Sequence, residues 1–97
     1  MYEVEFTAEA RDDLKELRKA DQVAVMAAIE SQLKDQSTQE TRHRKKLRPN
    51  PIAEWELRVG QFRVFYNVVP DAQTISIEAV GFKVGNVLFI RNERREL

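Results

Sequence analysis

Between Trp55 and Tyr66, apolar and charged residues alternate on both sides of a Gly60-Gln61 pair. No other stretch restricts the fold as strongly. Glycine at the first of two central positions suits a two-residue hairpin loop. Cross-strand partners then follow directly: Val59 with Phe62, Arg58 with Arg63, Leu57 with Val64 and Trp55 with Tyr66. Side chains alternate between the two faces of a strand, so Leu57, Val59, Phe62, Val64 and Tyr66 share one apolar face and both guanidinium groups leave from the other. Directly opposed like charges are unfavourable, which prepares a place for an anion. A second reading stands beside it: Glu56, two residues from Arg58 and diagonal to Arg63, neutralises the pair as a surface ion network.

The remaining elements arrange themselves around this hairpin. Tyr2, Val4 and Phe6 alternate with Glu3 and Glu5 and predict a short first strand. Thr7 is a helix cap, and Ala10, Leu14 and Leu17 recur at helical spacing, predicting a helix over Ala8 to Arg18. Asp21 is a second cap candidate for a helix over Gln22 to Lys34 whose stripe is Val23, Met26, Ile29 and Leu33. The short link makes the two helices antiparallel neighbours. From Asp35 to Lys46 the chain has no apolar residue and reads as an exposed connection. Pro49-Asn50-Pro51 forbids helix and marks a corner. Strands follow over Ala53–Val59, Phe62–Val69, Thr74–Val80 and, after a tight Gly85-Asn86 turn, Val87–Ile90, with a polar, basic tail. The fold class expected is α+β: an N-terminal strand, two antiparallel helices, then a three- to four-stranded antiparallel sheet with the helices on one face and the other face open. Trp55, Leu57, Val64, Tyr66, Ile75, Ile77, Leu14, Leu17, Met26, Ile29 and Leu33 form the predicted core.

Several functions are excluded by composition. Ninety-seven residues hold one domain, 1–97. Without cysteine, and with a single histidine, the chain offers no disulfide scaffold, no thiolate site and little for a zinc or iron centre. It has no Gly-rich phosphate loop and no internal repeat. No apolar run approaches the roughly 20 residues of a membrane span, and Met1-Tyr2-Glu3-Val4-Glu5 is no export signal. The expected compartment is the cytoplasm, with no membrane partner. The neutral net charge conceals an asymmetry: residues 1–40 carry ten acidic and five basic side chains, residues 41–97 eleven basic and six acidic. The second part can offer a local positive field to a phosphate polymer or an acidic protein.

Candidate site residues concentrate in that basic part. Arg42, His43, Arg44, Lys45, Lys46 and Arg48 can embrace a phosphate backbone or form a solvated loop. Phe65, Val80 and Phe82 can mix aromatic rings with the arginines on the open face, as on single-strand RNA platforms, or be covered by the C-terminal segment or a partner. Glu54 and Glu56 share a strand face but lack further ligands for a metal. Asp12 and Asp13, about 100° apart on a helix, form no site.

The strand, two-helix, antiparallel-sheet order, together with Lys45-Lys46-Leu47, the block Leu57-Arg58-Val59-Gly60-Gln61-Phe62-Arg63-Val64-Phe65-Tyr66 and Val80-Gly81, resembles the RelE/ParE superfamily of toxins from type II toxin–antitoxin pairs over nearly the whole chain. The resemblance implies a ribosome-dependent, metal-independent mRNA endoribonuclease without cofactor, in which a ribose 2′-hydroxyl attacks the adjacent phosphate and leaves a cyclic phosphate. By position, Arg58 matches the arginine that steadies transition-state charge, and Arg63 falls on the same motif. Lys45 or Lys46 stands with the lysines that assist proton transfer, and Lys83 replaces a second arginine. The implied catalytic set is Arg58, Arg63, Lys83 and Lys46. The implied RNA-binding set is Arg42, Arg44, Lys45, Arg48 and Phe65. Lys83 lacks the bidentate fork of arginine, and Phe82 or Phe89 stands where a tyrosine or histidine is common, leaving no clear proton donor. Strand parity also puts Lys83 in phase with Ile77 and Ala79 unless Gly81 introduces a bulge. The alternatives within the same resemblance are a ParE-like inhibitor of DNA gyrase that performs no chemistry and an inactive antitoxin-binding module. The implied partners are a cognate antitoxin, with ribosome and mRNA or DNA gyrase as target. An acidic, amphipathic antitoxin segment can cover Arg58 and Arg63, or displace the Val87–Leu97 segment, where Arg91, Arg94 and Arg95 are anchors.

Overall fold

The Gly60-Gln61 hairpin forms in the register that the alternation predicts. Strand β3 (Trp55–Val59) pairs antiparallel with β4 (Phe62–Val69), placing Trp55 opposite Tyr66, Leu57 opposite Val64 and Arg58 opposite Arg63. Gly60 supplies the positive φ, 58°, that the first loop position needs. The structure is a computed structural model that describes residues 2–35 and 37–97. Met1 and Gln36, the latter in the polar connection after the second helix, lie outside the described residues.

Chain order is β1 (Glu3–Phe6), α1 (Ala8–Lys15), α2 (Lys19–Gln32), β2 (Arg44–Lys46), β3, β4, β5 (Thr74–Val84), β6 (Val87–Ile90) and β7 (Glu93–Arg95). The fold is α+β, as expected, but among the described residues the sheet has seven strands, where an N-terminal strand and three or four others were expected. Its order is β2-β3-β4-β5-β6-β7, with β1 parallel to the first half of β5. Two of the added strands come from segments expected to be irregular. The polar run after α2 contributes β2, paired to β3, and the basic tail folds back as β7 through a turn at Arg91-Asn92, whose φ values are 52° and 66°. Polar residues suffice for such edge strands, because the ladder is made by backbone groups.

Both helices pack on one face. Thr7 caps α1, its Oγ1 accepting from the Ala10 N–H at 3.1 Å. Gln22 Nε2 donates to the Leu17 carbonyl at 2.8 Å and holds the short link between the helices. Ala10, Val25, Ile29 and Leu33 meet Trp55, Leu57, Val64, Tyr66, Ile75 and Ile77 in the main core, with Leu14 and Leu17 partly buried at its margin. Met26, placed in the core by its spacing, is instead exposed, as is Val23. In an alanine-rich helix more than one stripe is apolar, and the one through Val25, Ile29 and Leu33 is the one turned to the sheet.

The opposite face is not open. Asn50 builds the proline corner, its Oδ1 accepting from Ile52 and Ala53 N–H and its Nδ2 donating to the Arg48 and Ala53 carbonyls. That corner lays Ile52 and Ala53 over the sheet beside Leu88, Ile90 and Leu97, and together they bury Phe65 and Ala79 in a second, smaller core.

Strand β5 carries a bulge. Phe65 pairs with Ala79 and Tyr66 with Ile77, so Glu78 has no partner across the ladder. On its other edge β5 is taken by β1 as far as Ile77 and by β6 from Phe82 onward. Side chains fill the gap. Asp13 Oδ2 accepts from the Val80 N–H at 3.1 Å, Arg91 Nη2 donates to the Glu78 carbonyl at 3.0 Å, and Arg91 Nε pairs with Asp13 Oδ1 at 3.1 Å. Beyond the bulge Gly81 lets β6 lie close, since a Cβ there would meet the Phe89 carbonyl oxygen at 2.5 Å.

Two consequences can be measured. Asp13→Ala leaves a buried N–H without an acceptor and is expected to cost about 1–3 kcal/mol in denaturant unfolding, with Asp13→Asn costing much less. Burial raises the Asp13 carboxyl above its ordinary value against the opposing pull of the Val80 N–H and Arg91. The folded state therefore holds this proton more tightly than the unfolded chain, and stability declines as pH rises from the unfolded carboxylate value through the raised folded one. The difference in stability between Asp13→Asn and the natural chain should move in favour of the Asn variant over that window and be flat above it. Gly81→Ala is expected to destabilise by about 1–3 kcal/mol, because backbone must shift to admit the methyl group.

Candidate functional site

Because one residue is inserted at Glu78, parity reverses along β5: Ile75 and Ile77 face the helices before the bulge, Val80 and Phe82 after it. Lys83 therefore emerges on the same face as Arg58 and Arg63. The bulge that parity demanded lies at Glu78 and not at Gly81. On β2, Lys45 pairs with Glu56 and shares its face, whereas Arg44 pairs with Leu57 and Lys46 with Trp55, so both belong to the helix side.

The result is a cleft of about 340 Å³ beside the second core, lined by Lys45, Arg48, Glu56, Arg58, Lys83 and Arg95, with Asn86, Glu96 and the apolar Leu47, Leu88 and Leu97 completing its walls. Five basic groups face two carboxylates there. Arg58 and Lys45 line both this cleft and the hollow next to it. The Arg58 side chain is 42% exposed, its Nε is held by Glu56 Oε2 at 3.3 Å, and its backbone N–H donates to the His43 carbonyl at 2.7 Å. The second hollow, of about 390 Å³, is lined also by Glu40, Thr41, Arg42 and the edge of the buried Arg44. A phosphate chain crossing this face meets cations in the cleft and in this hollow.

Arg63 is handled differently. Its side chain is 12% exposed, its Nη1 donates to the Gly60 and Phe62 carbonyls at 2.8 and 2.9 Å, and it does not line the cleft. Glu56 Oε2 lies 4.0 Å from Arg63 Nε, which is buried and makes no hydrogen bond among the described residues. Burial lowers the Arg63 pKa from its ordinary value, and the Arg58 charge adds to that effect against the pull of Glu56. Glu56 itself is 7% exposed at its side chain. The carboxylate that the sequence placed near the arginine pair thus lies between them, inside rather than on the surface.

Two residues of the implied RNA-binding set sit elsewhere. Phe65 is 0% exposed under the second core and offers no ring for stacking. Arg44 turns inward, donating through Nε to the Gln39 carbonyl at 2.9 Å and through Nη1 to the Gln32 carbonyl at 3.0 Å and to Gln32 Oε1 at 2.6 Å. It supplies to the last turn of α2 the cation that the helix's own sequence lacks. Tyr66, the nearest phenol to this face, is fully buried on the helix side, where its hydroxyl donates to the Ser37 carbonyl at 2.6 Å and burial pushes its pKa far up. Lys46 borders a separate hollow at the proline corner. Arg95 joins the cleft, although the sequence assigned it to the tail as an anchor for an antitoxin and not to the phosphate site. The signal for it was Asn92 at a hairpin-turn position, which folds the tail back as β7.

Chemically, the cleft offers electrostatic stabilisation of a phosphate in abundance and proton transfer sparingly. No histidine or tyrosine lines it, and no cluster of His, Cys, Asp and Glu suited to a metal occurs among the described residues.

Comparison with known proteins follows the same lines. The family described as ParE toxin of type II toxin-antitoxin system, parDE, matches residues 4–82. A chain of the toxin–antitoxin complex RelBE2 from Mycobacterium tuberculosis is similar in structure, with a TM-score of 0.72 and 28% identity over 84% of this chain and 98% of that one. A chain of the archaeal RelE–RelB complex from Pyrococcus horikoshii shares the fold, with a TM-score of 0.65 and 21% identity over 81% of this chain and 91% of that one. Comparison with curated protein sequences gives no match. The matched segment ends at Phe82, so Lys83 and Arg95 complete the cleft from outside it.

Parity makes a sharp distinction between neighbours. Lys45→Ala and Lys83→Ala should each weaken binding of a single-stranded oligonucleotide and lower the salt slope of log K by about 0.7. Lys46→Ala should leave both nearly unchanged. Fluorescence anisotropy across a salt series checks all three.

Proposed function

The chain belongs to the RelE/ParE superfamily of type II toxin–antitoxin toxins, and from that membership we propose that it inhibits translation as a ribosome-dependent mRNA endoribonuclease in the cytoplasm, using the basic cleft. The observation that carries this reading is the convergence of Arg58, Lys83, Lys45 and Arg48 on one cleft, to which the Glu78 bulge brings Lys83. In the proposed reaction a ribose 2′-oxygen attacks the neighbouring phosphorus as it loses its proton. The bond to the 5′-oxygen breaks, and that oxygen takes up a proton, leaving a 2′,3′-cyclic phosphate and a 5′-hydroxyl. Arg58, partly exposed and steadied at Nε, is the group for the charge that develops on the phosphate. Lys83 and Lys45 supply supporting charge, and Arg48 and Arg42 carry the flanking backbone. The partner expected in the resting state is a cognate antitoxin protein, since the similar chains come from toxin–antitoxin complexes.

A second reading has its own support. A cleft without histidine or tyrosine, in a chain matched by the ParE description, suits a toxin that binds DNA gyrase and performs no chemistry. An inactive antitoxin-binding module is the third outcome.

Induction followed by primer extension separates them. New ribosome-dependent 5′ ends are expected, gyrase-linked DNA breaks would establish the second reading, and neither would leave the binding module. Arg58→Ala should lower cleavage by about 10²–10³ while the purified variant keeps its unfolding midpoint. Undiminished cleavage by that folded variant would overturn the role given to Arg58.

A further inference from the structure

The arrangement of Glu56 between two arginines that do not share a role points to a device for releasing Arg58. Glu56 Oε2 is within hydrogen-bond distance of Arg58 Nε, at 3.3 Å, and just outside it for Arg63 Nε, at 4.0 Å. Among the described residues Arg63 Nε is a buried donor with no hydrogen-bond partner, although its Nη1 is engaged by the hairpin carbonyls. A buried charged donor left unsatisfied is costly. A carboxylate displacement of under about 1 Å would complete that bond at ordinary hydrogen-bond length. We propose that Glu56 is a two-position counterion: it holds Arg58 while the cleft is empty, and passes to Arg63 Nε when a nucleic-acid phosphate takes Arg58.

The inference rests on the reading of the cleft as a phosphate site and goes beyond it by assigning roles within the arginine pair. Arg58 touches the ligand. Arg63 and Glu56 are positioning residues that act through it. The exchange offsets much of the loss incurred when Arg58 leaves its carboxylate, because the hydrogen bond broken at one arginine is regained at the other. An anion therefore competes with Glu56 less than a fixed ion pair would require. Removing Arg63 should trap Glu56 on Arg58, and removing the Glu56 charge as well should free Arg58 again.

The probe is a fluorescent single-stranded RNA oligonucleotide carrying 2′-O-methyl groups throughout, which cannot supply the attacking hydroxyl, so that binding is read without cleavage. Arg63→Met is expected to weaken binding about tenfold, and Glu56→Gln in that background to restore it to the natural level or better, a coupling in the range known for residues in one ion network. Glu56→Gln alone should tighten binding only about twofold to threefold. A double variant as weak as Arg63→Met would make Arg63 a direct ligand and overturn the inference, while leaving the phosphate site intact. Failure of the natural chain to bind the oligonucleotide even at low salt would overturn the cleft reading and the inference together. Nitrogen-15 NMR of arginine side chains tests the same step without substitution at Arg63. Adding the oligonucleotide should shift the Arg63 Nε–H signal downfield and slow its exchange with water, and Arg58→Ala should abolish the response. An unchanged Arg63 signal on saturation would also overturn the exchange.

Discussion

The place of Lys83 in the cleft and the contacts of Asp13 and Arg91 depend on one extra residue in β5. Strand β5 pairs along one edge with β4, and along the other with β1, parallel, and then β6, antiparallel. The insertion of Glu78 falls in the gap between β1 and β6 and leaves backbone groups that no strand reaches. Asp13 and Arg91 complete them from α1 and from the β6–β7 turn. The Val80 N–H is buried and must be satisfied, and a carboxylate that bonds a backbone N–H while pairing with an arginine does so with one side chain. The bulge also turns the second half of β5 over, bringing Lys83 to the cleft.

The second organising problem is charge. Arg58 and Arg63 are direct cross-strand partners, an arrangement that favours neither folding nor burial. The chain resolves it by giving the two residues different surroundings. Arg63 is folded onto its own hairpin carbonyls and largely covered, Arg58 is left at the cleft, and Glu56 sits between them. A pair that looks symmetrical along the sequence thus becomes a buried support and an exposed anion ligand. The same division appears at β2, where one strand step separates Arg44, which closes the end of α2, from Lys45, which faces the cleft.

Much of the architecture was legible because it is local. The Gly60-Gln61 hairpin, the capping Thr7, the Gly85-Asn86 turn and the alternation through Trp55–Tyr66 each depend on residues a few positions apart, and each is found where the pattern puts it. The helical stripe of α2 was less legible. Its alanines make two faces nearly equivalent, so the choice of Val25 over Met26 was left to the sheet beneath it. Asp13 was illegible altogether, since its partner Val80 is 67 positions away.

The sequence by itself determined the class of fold, the helix-bearing face and the cross-strand pairing of Arg58 with Arg63, because period-two and helical patterns encode which face is buried. It also concentrated the cations in the second part of the chain. Only the tertiary structure decided which cations meet. Lys83 joins them through a bulge that no local pattern marks, Lys45 is chosen over Lys46 by an edge strand built from polar residues, and Phe65 and Arg44 are withdrawn by a proline corner and a helix end. Those choices follow from backbone hydrogen bonds and burial between segments far apart in the chain, which set side-chain parity only once the whole sheet has closed.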